Sequence, residues 1–222
     1  MKQYYEAYDE RYKAIHAQGY SWTSEEKTPI VMETIQKYRI GLTEPMLEIG
    51  CGEGRDAKYL LENGFNLVAT DISQEAISYC KKRNPNYENC FQVMNCLNSD
   101  SENRYAFIYS VAVIHMLLLD DDRAAFYRFI HEHLLEARGI ALICSMGDGE
   151  TEFTTDVKDA FTLQERNHPS GKVMVAGTSC RTVSFRQLES ELSQSGLQIL
   201  EKGITSCMPE FNALMYAIVQ RA

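Results

Sequence analysis

One stretch constrains the fold of this chain more than any other. Pro45-Met46-Leu47-Glu48-Ile49 reads as a short buried strand, and Gly50-Cys51-Gly52-Glu53-Gly54 as a glycine-rich turn. A helix follows, with Ala57, Leu60 and Leu61 on its apolar stripe and Asn63-Gly64 as its stop. Leu67-Val68-Ala69-Thr70 is a second strand, ending in Asp71. Strand, Gly-x-Gly-x-Gly, helix, strand and acid in that register describe a nucleotide-type site. The glycines let the backbone approach a ligand, and the ligand lies across the carboxyl ends of parallel strands. A carboxylate at Asp71 is placed to accept the hydroxyl protons of a ribose.

The alternation continues. Ser73 caps a helix with Ala76, Ile77 and Cys80 inward, and Asn84-Pro85-Asn86 breaks it. Phe91 to Met94, Ala106 to Val111 and Ile140 to Cys144 read as further strands, with a helix from Asp120 burying Ala125, Phe126, Phe129, Ile130 and Leu134. Apolar runs this continuous suit parallel strands covered on both faces. Ser184-Phe185-Arg186-Gln187 is a capping box for a last helix. Ile199 to Ile204 and Ala213 to Val219 close the sheet, the last pair antiparallel. The expectation is an α/β fold: a doubly wound, mostly parallel sheet of seven strands in one domain spanning 1–222. Residues 1–40 form N-terminal helices, with Tyr4, Tyr5, Tyr8 and Tyr12 on one face. Residues 146–180 are polar and glycine-punctuated, and read as an inserted loop or small cap, a cap loop over the site.

The bulk numbers narrow the function. The formal net charge of -9 offers no basic stripe, which argues against a nucleic-acid partner. The one cationic run, Lys81-Lys82-Arg83, suits a helix C-terminus. No apolar run is long enough to span a bilayer, and Met1 to Glu6 lacks the core of a signal peptide, so the expected location is cytoplasmic and off the membrane. Seven cysteines without a CxxC pair read as free thiols, and no structural metal site is expected. A monomer or homodimer acting on a small-molecule acceptor fits this balance.

Charge also separates two ligands that share such a turn. A dinucleotide would set its pyrophosphate at the helix N-terminus, beside Glu48 and Glu53. S-adenosylmethionine carries a sulfonium and an ammonium and no phosphate, so it tolerates both acids. Leu47-Glu48-Ile49-Gly50-Cys51-Gly52-Glu53-Gly54-Arg55-Asp56 closely resembles the first motif of class I S-adenosylmethionine-dependent methyltransferases. Thr70-Asp71-Ile72-Ser73 is similar to their second motif, Ser110 to Leu117 to their segment after the fourth strand, and Leu134 to Gly139 to the turn before the fifth. The resemblance implies their Rossmann-like fold and S-adenosylmethionine as cofactor. It implies Glu48, Gly50, Cys51, Gly52 and Gly54 around the methionine part, Asp71 on the ribose, and Ile72 on the adenine. Asn95 and Cys96 would lie at the adenine edge, and Val111 near the fourth strand. The sequence departs from the family pattern at Asn95, where an acid is common, and at Ala106, where the fourth strand usually carries an aspartate.

Beyond the cofactor, His115 follows an apolar strand at the expected acceptor rim. It reads as a general base or acceptor-orienting group, or as a packed rim histidine. Tyr5, Tyr8 and Trp22 are candidates for an aromatic lid and acceptor contacts, because aromatic faces attract cations. Arg181, and with it Arg166 and His168, could meet an anionic acceptor or stay solvated. Cys51 is read as a small filler of the turn. Three alternatives stay open: a nicotinamide-dependent oxidoreductase, a non-catalytic cofactor-binding module, and a methyltransferase acting on a macromolecule.

Overall fold

A computed structural model describes residues 2–99, 101–205 and 214–222. Five strands are parallel: β1 (Met46–Ile49), β2 (Leu67–Asp71), β3 (Phe91–Val93), β4 (Phe107–Val111) and β5 (Ile140–Met146). The two closing strands, β10 (Leu197–Thr205) and β11 (Leu214–Arg221), run antiparallel to each other, and β11 runs antiparallel to β5. The spatial order of the seven is β10-β11-β5-β4-β1-β2-β3. β1 and β4 therefore stand side by side where the order reverses, and an open α/β sheet binds ligands at that crevice.

Helices cover both faces, which is why β4 and β5 are buried almost end to end. On one face α2 (Pro29–Lys37), α3 (Arg55–Glu62) and α4 (Gln74–Arg83) pack Ile35, Leu60 and Ile77 against Met46, Phe107 and Leu142. On the other, α5 (Asp120–His133) and α6 (Phe185–Gln194) pack Phe126, Ile130 and Leu192 against Leu47, Ile108 and Ala141. The local signals hold: Ser73 accepts from the Ala76 amide, Ser184 accepts from the Gln187 amide, and Lys81 to Arg83 sit in the last turn of α4. The inward face of α5 differs from expectation. Arg123, 1 % exposed, and Tyr127 lie in the core, while Ala125 is only half-buried.

The N-terminal segment is a 3-10 turn (Tyr4–Glu6) running into α1 (Ala7–His16), followed by turns and irregular chain to Thr28. Residues 146–180 form a small cap with strands of its own, not a plain loop. β6 (Phe153–Thr154) pairs with β9 (Arg181–Thr182), and β7 (Leu163–His168) forms a hairpin with β8 (Gly171–Ala176). The hairpin is hard to see in sequence because only β8 alternates clearly: Val173 and Val175 are buried against Ile15 and Trp22, while Lys172 and Met174 point out. The segment joining β10 to β11, residues 206–213, lies outside the described residues. The six described cysteines are free thiols, and Cys207 lies outside the description. No helix among the described residues is long and apolar enough to cross a membrane.

Candidate active site

The glycine turn is held from beneath by β2. The Gly50 and Cys51 amides both donate to the Thr70 carbonyl, at 2.7 and 2.8 Å. Gly50 has φ +74°, and a Cβ there would stand 2.2 Å from Val113 Cγ2. Gly52 has φ +53°, and a Cβ there would stand 2.7 Å from the Tyr12 hydroxyl. Gly54 heads α3 against Cys80 and Phe91 and does not line the main cavity. The Asp71 carboxylate spans the turn and α4, accepting from the Gly52 amide and the Ser73 amide, each at 2.8 Å. Burial pushes its pKa up.

A cavity of about 1500 Å³ opens from this turn. Glu48, Gly50, Cys51, Gly52 and Val111 line its floor. Glu48 is 3 % exposed, and its carboxyl is pushed up to about 8, by burial first and by the nearby Asp56 second. Its Oε2 and the hydroxyl of neighbouring Tyr109 both lack a hydrogen bond of good geometry. Asp56 is occupied, accepting from the Thr28 amide and hydroxyl at 2.6 and 2.7 Å and thereby tying α2 to α3. At the end of β4, Ala112 adopts φ +59°, a rare conformation for a residue with a side chain, and it too lines the cavity.

His115 lies three residues on, in a 3-10 turn (Ile114–Met116), and lines the cavity at 4 % exposure. Burial, then the charges of Arg123 and Arg11, lower its pKa to about 4, so the ring is neutral at physiological pH. Arg123 donates to the Ile114 carbonyl at 2.9 Å while paired with Glu191 at 2.7 Å, so it fixes the backbone that carries His115.

The roof is α1, the chain after it, and the cap. Tyr8 and Trp22 line the cavity. Tyr5 does not; it stands against Asn95 and Cys96 at the tips of the adjoining strands. The tyrosines thus do not share one destination. Tyr4 leaves the group, donating to Asp122 at 2.6 Å and accepting from the Leu118 amide at 2.9 Å. α1 also covers the far end of the turn, with Asp9 accepting from the Ser73 hydroxyl at 2.7 Å. Asp71, Ile72, Asn95 and Cys96 lie outside the cavity lining, on this covered side. Asn95 caps its own turn through the Leu97 amide, and burial pushes the Cys96 thiol up to about 12. Glu53 does not face the ligand side either. It accepts from the Trp22 amide (2.7 Å) and the Thr23 amide and hydroxyl (2.8 Å each), and meets His16 Nε2 at 2.8 Å. It is the bracket that holds the roof to the turn.

Arg181 does not reach the cavity, contrary to expectation. Its guanidinium donates to the Leu118 carbonyl at 2.6 Å and pairs with Asp120 at 2.7 Å, joining β9 to the start of α5. Arg166 and His168 do line the cavity, as does Arg11, which the sequence reading did not single out. Arg11 falls three residues after Tyr8 on the same helix face, a spacing that places both at one site. No group of three or more His, Cys, Asp or Glu side chains among the described residues is placed to hold a metal ion.

The parallel order reversing between β1 and β4, with a glycine turn leaving β1 and an acid ending β2, defines a Rossmann-like ligand-binding fold. Residues 46–137 match the family model described as a methyltransferase domain. No curated protein sequence matches the chain. Among solved structures, an S-adenosylmethionine-dependent methyltransferase from Clostridium acetobutylicum is similar with a TM-score of 0.68 at 14 % identity, over 98 % of this chain and 99 % of that one. The CcbJ methyltransferase from Streptomyces caelestis gives 0.68 at 17 %, over 96 % and 99 %. The 1,6-didemethyltoxoflavin-N1-methyltransferase of Burkholderia thailandensis gives 0.69 at 15 %, over 95 % and 84 %. Residues 46–137 thus match a methyltransferase domain, and the chain as a whole shares the fold of these S-adenosylmethionine-dependent methyltransferases.

Proposed function

We propose that the protein transfers a methyl group to a small-molecule acceptor held between the glycine turn and the cap. The observation that carries this is the cavity, which runs from Gly50 to His115 under the roof. At about 1500 Å³ it exceeds what one ligand needs. Pockets of roughly 300–1000 Å³ hold one drug-sized ligand, so there is room for an acceptor beside the methionine end of the donor. The Burkholderia enzyme, crystallised with 1,6-didemethyltoxoflavin and S-adenosylhomocysteine, is a neighbour of the same fold with a small acceptor.

The residues fit the methyl donor. The buried Glu48 carboxyl on the floor, beside Tyr109, suits an ammonium, and the turn at Gly50, Cys51 and Gly52 offers backbone without side-chain obstruction. Asp71 takes the ribose hydroxyls with the lone pairs left by its two amide bonds. Ile72, Asn95 and Cys96 border the adenine. Because Tyr5 and Tyr12 of the roof cover this end, α1 lifts for the adenosyl part to enter. S-adenosylmethionine, when bound, supplies an already activated methyl group. The chain's task is then placement and exclusion of water. Glu53 and His16 close the roof, Trp22 and Tyr8 wall the acceptor side, and His115, uncharged, accepts a hydrogen bond or proton from the acceptor.

Calorimetry with S-adenosylmethionine, S-adenosylhomocysteine and NAD, followed by acceptor screening for S-adenosylhomocysteine release, tests the reading. Binding of both adenosyl compounds and turnover of a small acceptor are expected. Binding of NAD without the adenosyl compounds, or cofactor binding with turnover confined to macromolecules, would overturn it.

A further inference from the structure

Acids and cations both line the cavity. Glu48, Asp56 and Arg55 lie on the floor beside the glycine turn, and the roof side carries Glu25, Asp156 and Asp159 along with two guanidiniums, Arg11 from α1 and Arg166 from β7. The other arginines packed into the fold have carboxylate partners. Arg123 has Glu191 at 2.7 Å, Arg181 has Asp120 at 2.7 Å, and Arg55 has Asp56 at 3.5 Å. Arg11 is 7 % exposed and yet, among the described residues, no carboxylate comes within ion-pairing distance of it or of Arg166. In a chain with 31 acidic residues, this is a local exception that packing alone does not require.

The two groups also converge on one point. Arg11 Nη2 donates to the Gly177 carbonyl at 3.0 Å, and Arg166 Nη2 donates to the same oxygen at 3.3 Å. Arg11 further donates to the Ala176 carbonyl at 3.0 Å and the Thr178 hydroxyl at 2.8 Å, and its guanidinium lies 4.6 Å from the Trp22 ring and 5.2 Å from that of Tyr8. Arg166 is otherwise held by Gln164 at 2.7 Å. Carbonyl dipoles and ring faces orient these cations without neutralising them. Arg11 Nη1, and Nε and Nη1 of Arg166, form no hydrogen bond to the described protein. Like charges side by side repel, and a desolvated cation is costly until an anion joins it. The acid at Asp156 does not answer them, being turned to Lys158 at 2.9 Å.

We propose that the acceptor carries an oxyanion group, a carboxylate or a phosphate, which Arg166 receives with Arg11 behind it, so that the opposite end of the acceptor is directed toward His115. This rests on the methyltransfer reading above and names the substrate class of that site. Planar guanidinium forks match such groups in two-point contact, which fixes orientation as well as affinity. The pair thus gives the acceptor's anion a place in the roof, apart from Glu48 on the floor.

The test uses the full chain saturated with S-adenosylhomocysteine and three probes followed by fluorine NMR: 4-fluorobenzoate, 4-fluorophenyl phosphate and the neutral 4-fluorobenzamide. At least one anion should bind about tenfold more tightly than the amide, the usual effect of a charged hydrogen bond. Arg166→Gln, at an exposed strand position, should erase that preference, and Arg166→Lys should restore part of it, while affinity for S-adenosylhomocysteine stays unchanged. Which anion binds separates carboxylate from phosphate. Equal binding of anions and amide, or a preference that survives Arg166→Gln, would overturn the proposal. So would a parallel loss of S-adenosylhomocysteine affinity in the variant, because the guanidinium would then serve the donor. Failure of the parent protein to bind S-adenosylhomocysteine at all would sink the methyltransfer reading and this inference with it.

Discussion

Glu48→Gln probes the floor of the site through both folding and binding. The parent carboxyl is buried and held near 8, against an ordinary 4.5, by burial and then by Asp56. A pKa raised in the folded state means that the stabilisation is fully present below about 4.5 and is lost as pH rises toward 8. At ~1.4 kcal/mol per pH unit, the interval from 4.5 to 7 corresponds to about 3 kcal/mol withdrawn from the unliganded protein at neutral pH. Glutamine fills the same volume and has no ionisation to suppress. The unliganded variant should therefore gain on the parent as pH rises, by up to about 3 kcal/mol at pH 7, and the gain should vanish toward pH 4.5. Urea denaturation from pH 5 to 8, with unchanged denaturant slopes, measures this. Binding should move the other way. Without a carboxylate to meet the donor's ammonium, affinity for S-adenosylhomocysteine should fall by about 1–3 kcal/mol. The parent should bind more tightly as pH rises toward 8, and the variant should not. Parallel stability profiles for the two proteins would refute the burial argument, and identical pH dependence of binding would refute the ammonium assignment.

Asp71→Ala leaves the Gly52 and Ser73 amides without their acceptor and removes the ribose contact; calorimetry should show S-adenosylhomocysteine binding weakened by about 1–3 kcal/mol. Full affinity in that variant would dismiss the ribose assignment. With His115 held near 4, acceptor turnover should show no histidine limb between pH 6 and 8; a limb near 6.5 that disappears in His115→Gln would contradict the neutral-ring account. Gly50→Ala drives a methyl group into Val113 from a left-handed backbone, and thermal or urea unfolding should show a loss on the order of 3 kcal/mol. An unperturbed melting curve would show that the turn yields without cost.

The strand, turn, helix and acid from Pro45 to Asp71 were legible in the sequence because they are local. Positive φ at Gly50 and Gly52, an apolar stripe on α3 and a serine cap on α4 each depend on residues a few positions apart. The mostly parallel, seven-stranded class of the sheet followed from the same alternation, since parallel strands need covering helices, whereas the order of the strands came from the fold. What the tertiary structure alone decided are pairings between distant segments. Glu53 brackets Trp22 and Thr23, Arg11 and Arg166 share the Gly177 carbonyl, and Arg181 is spent on Leu118 and Asp120. Arg123 likewise breaks the pattern of its helix, lying buried because Glu191 of α6 arrives to neutralise it. A charge reads as solvent-facing along a chain, and only the fold brings up the partner, or withholds it, and so decides whether that charge is structural or waits for a ligand.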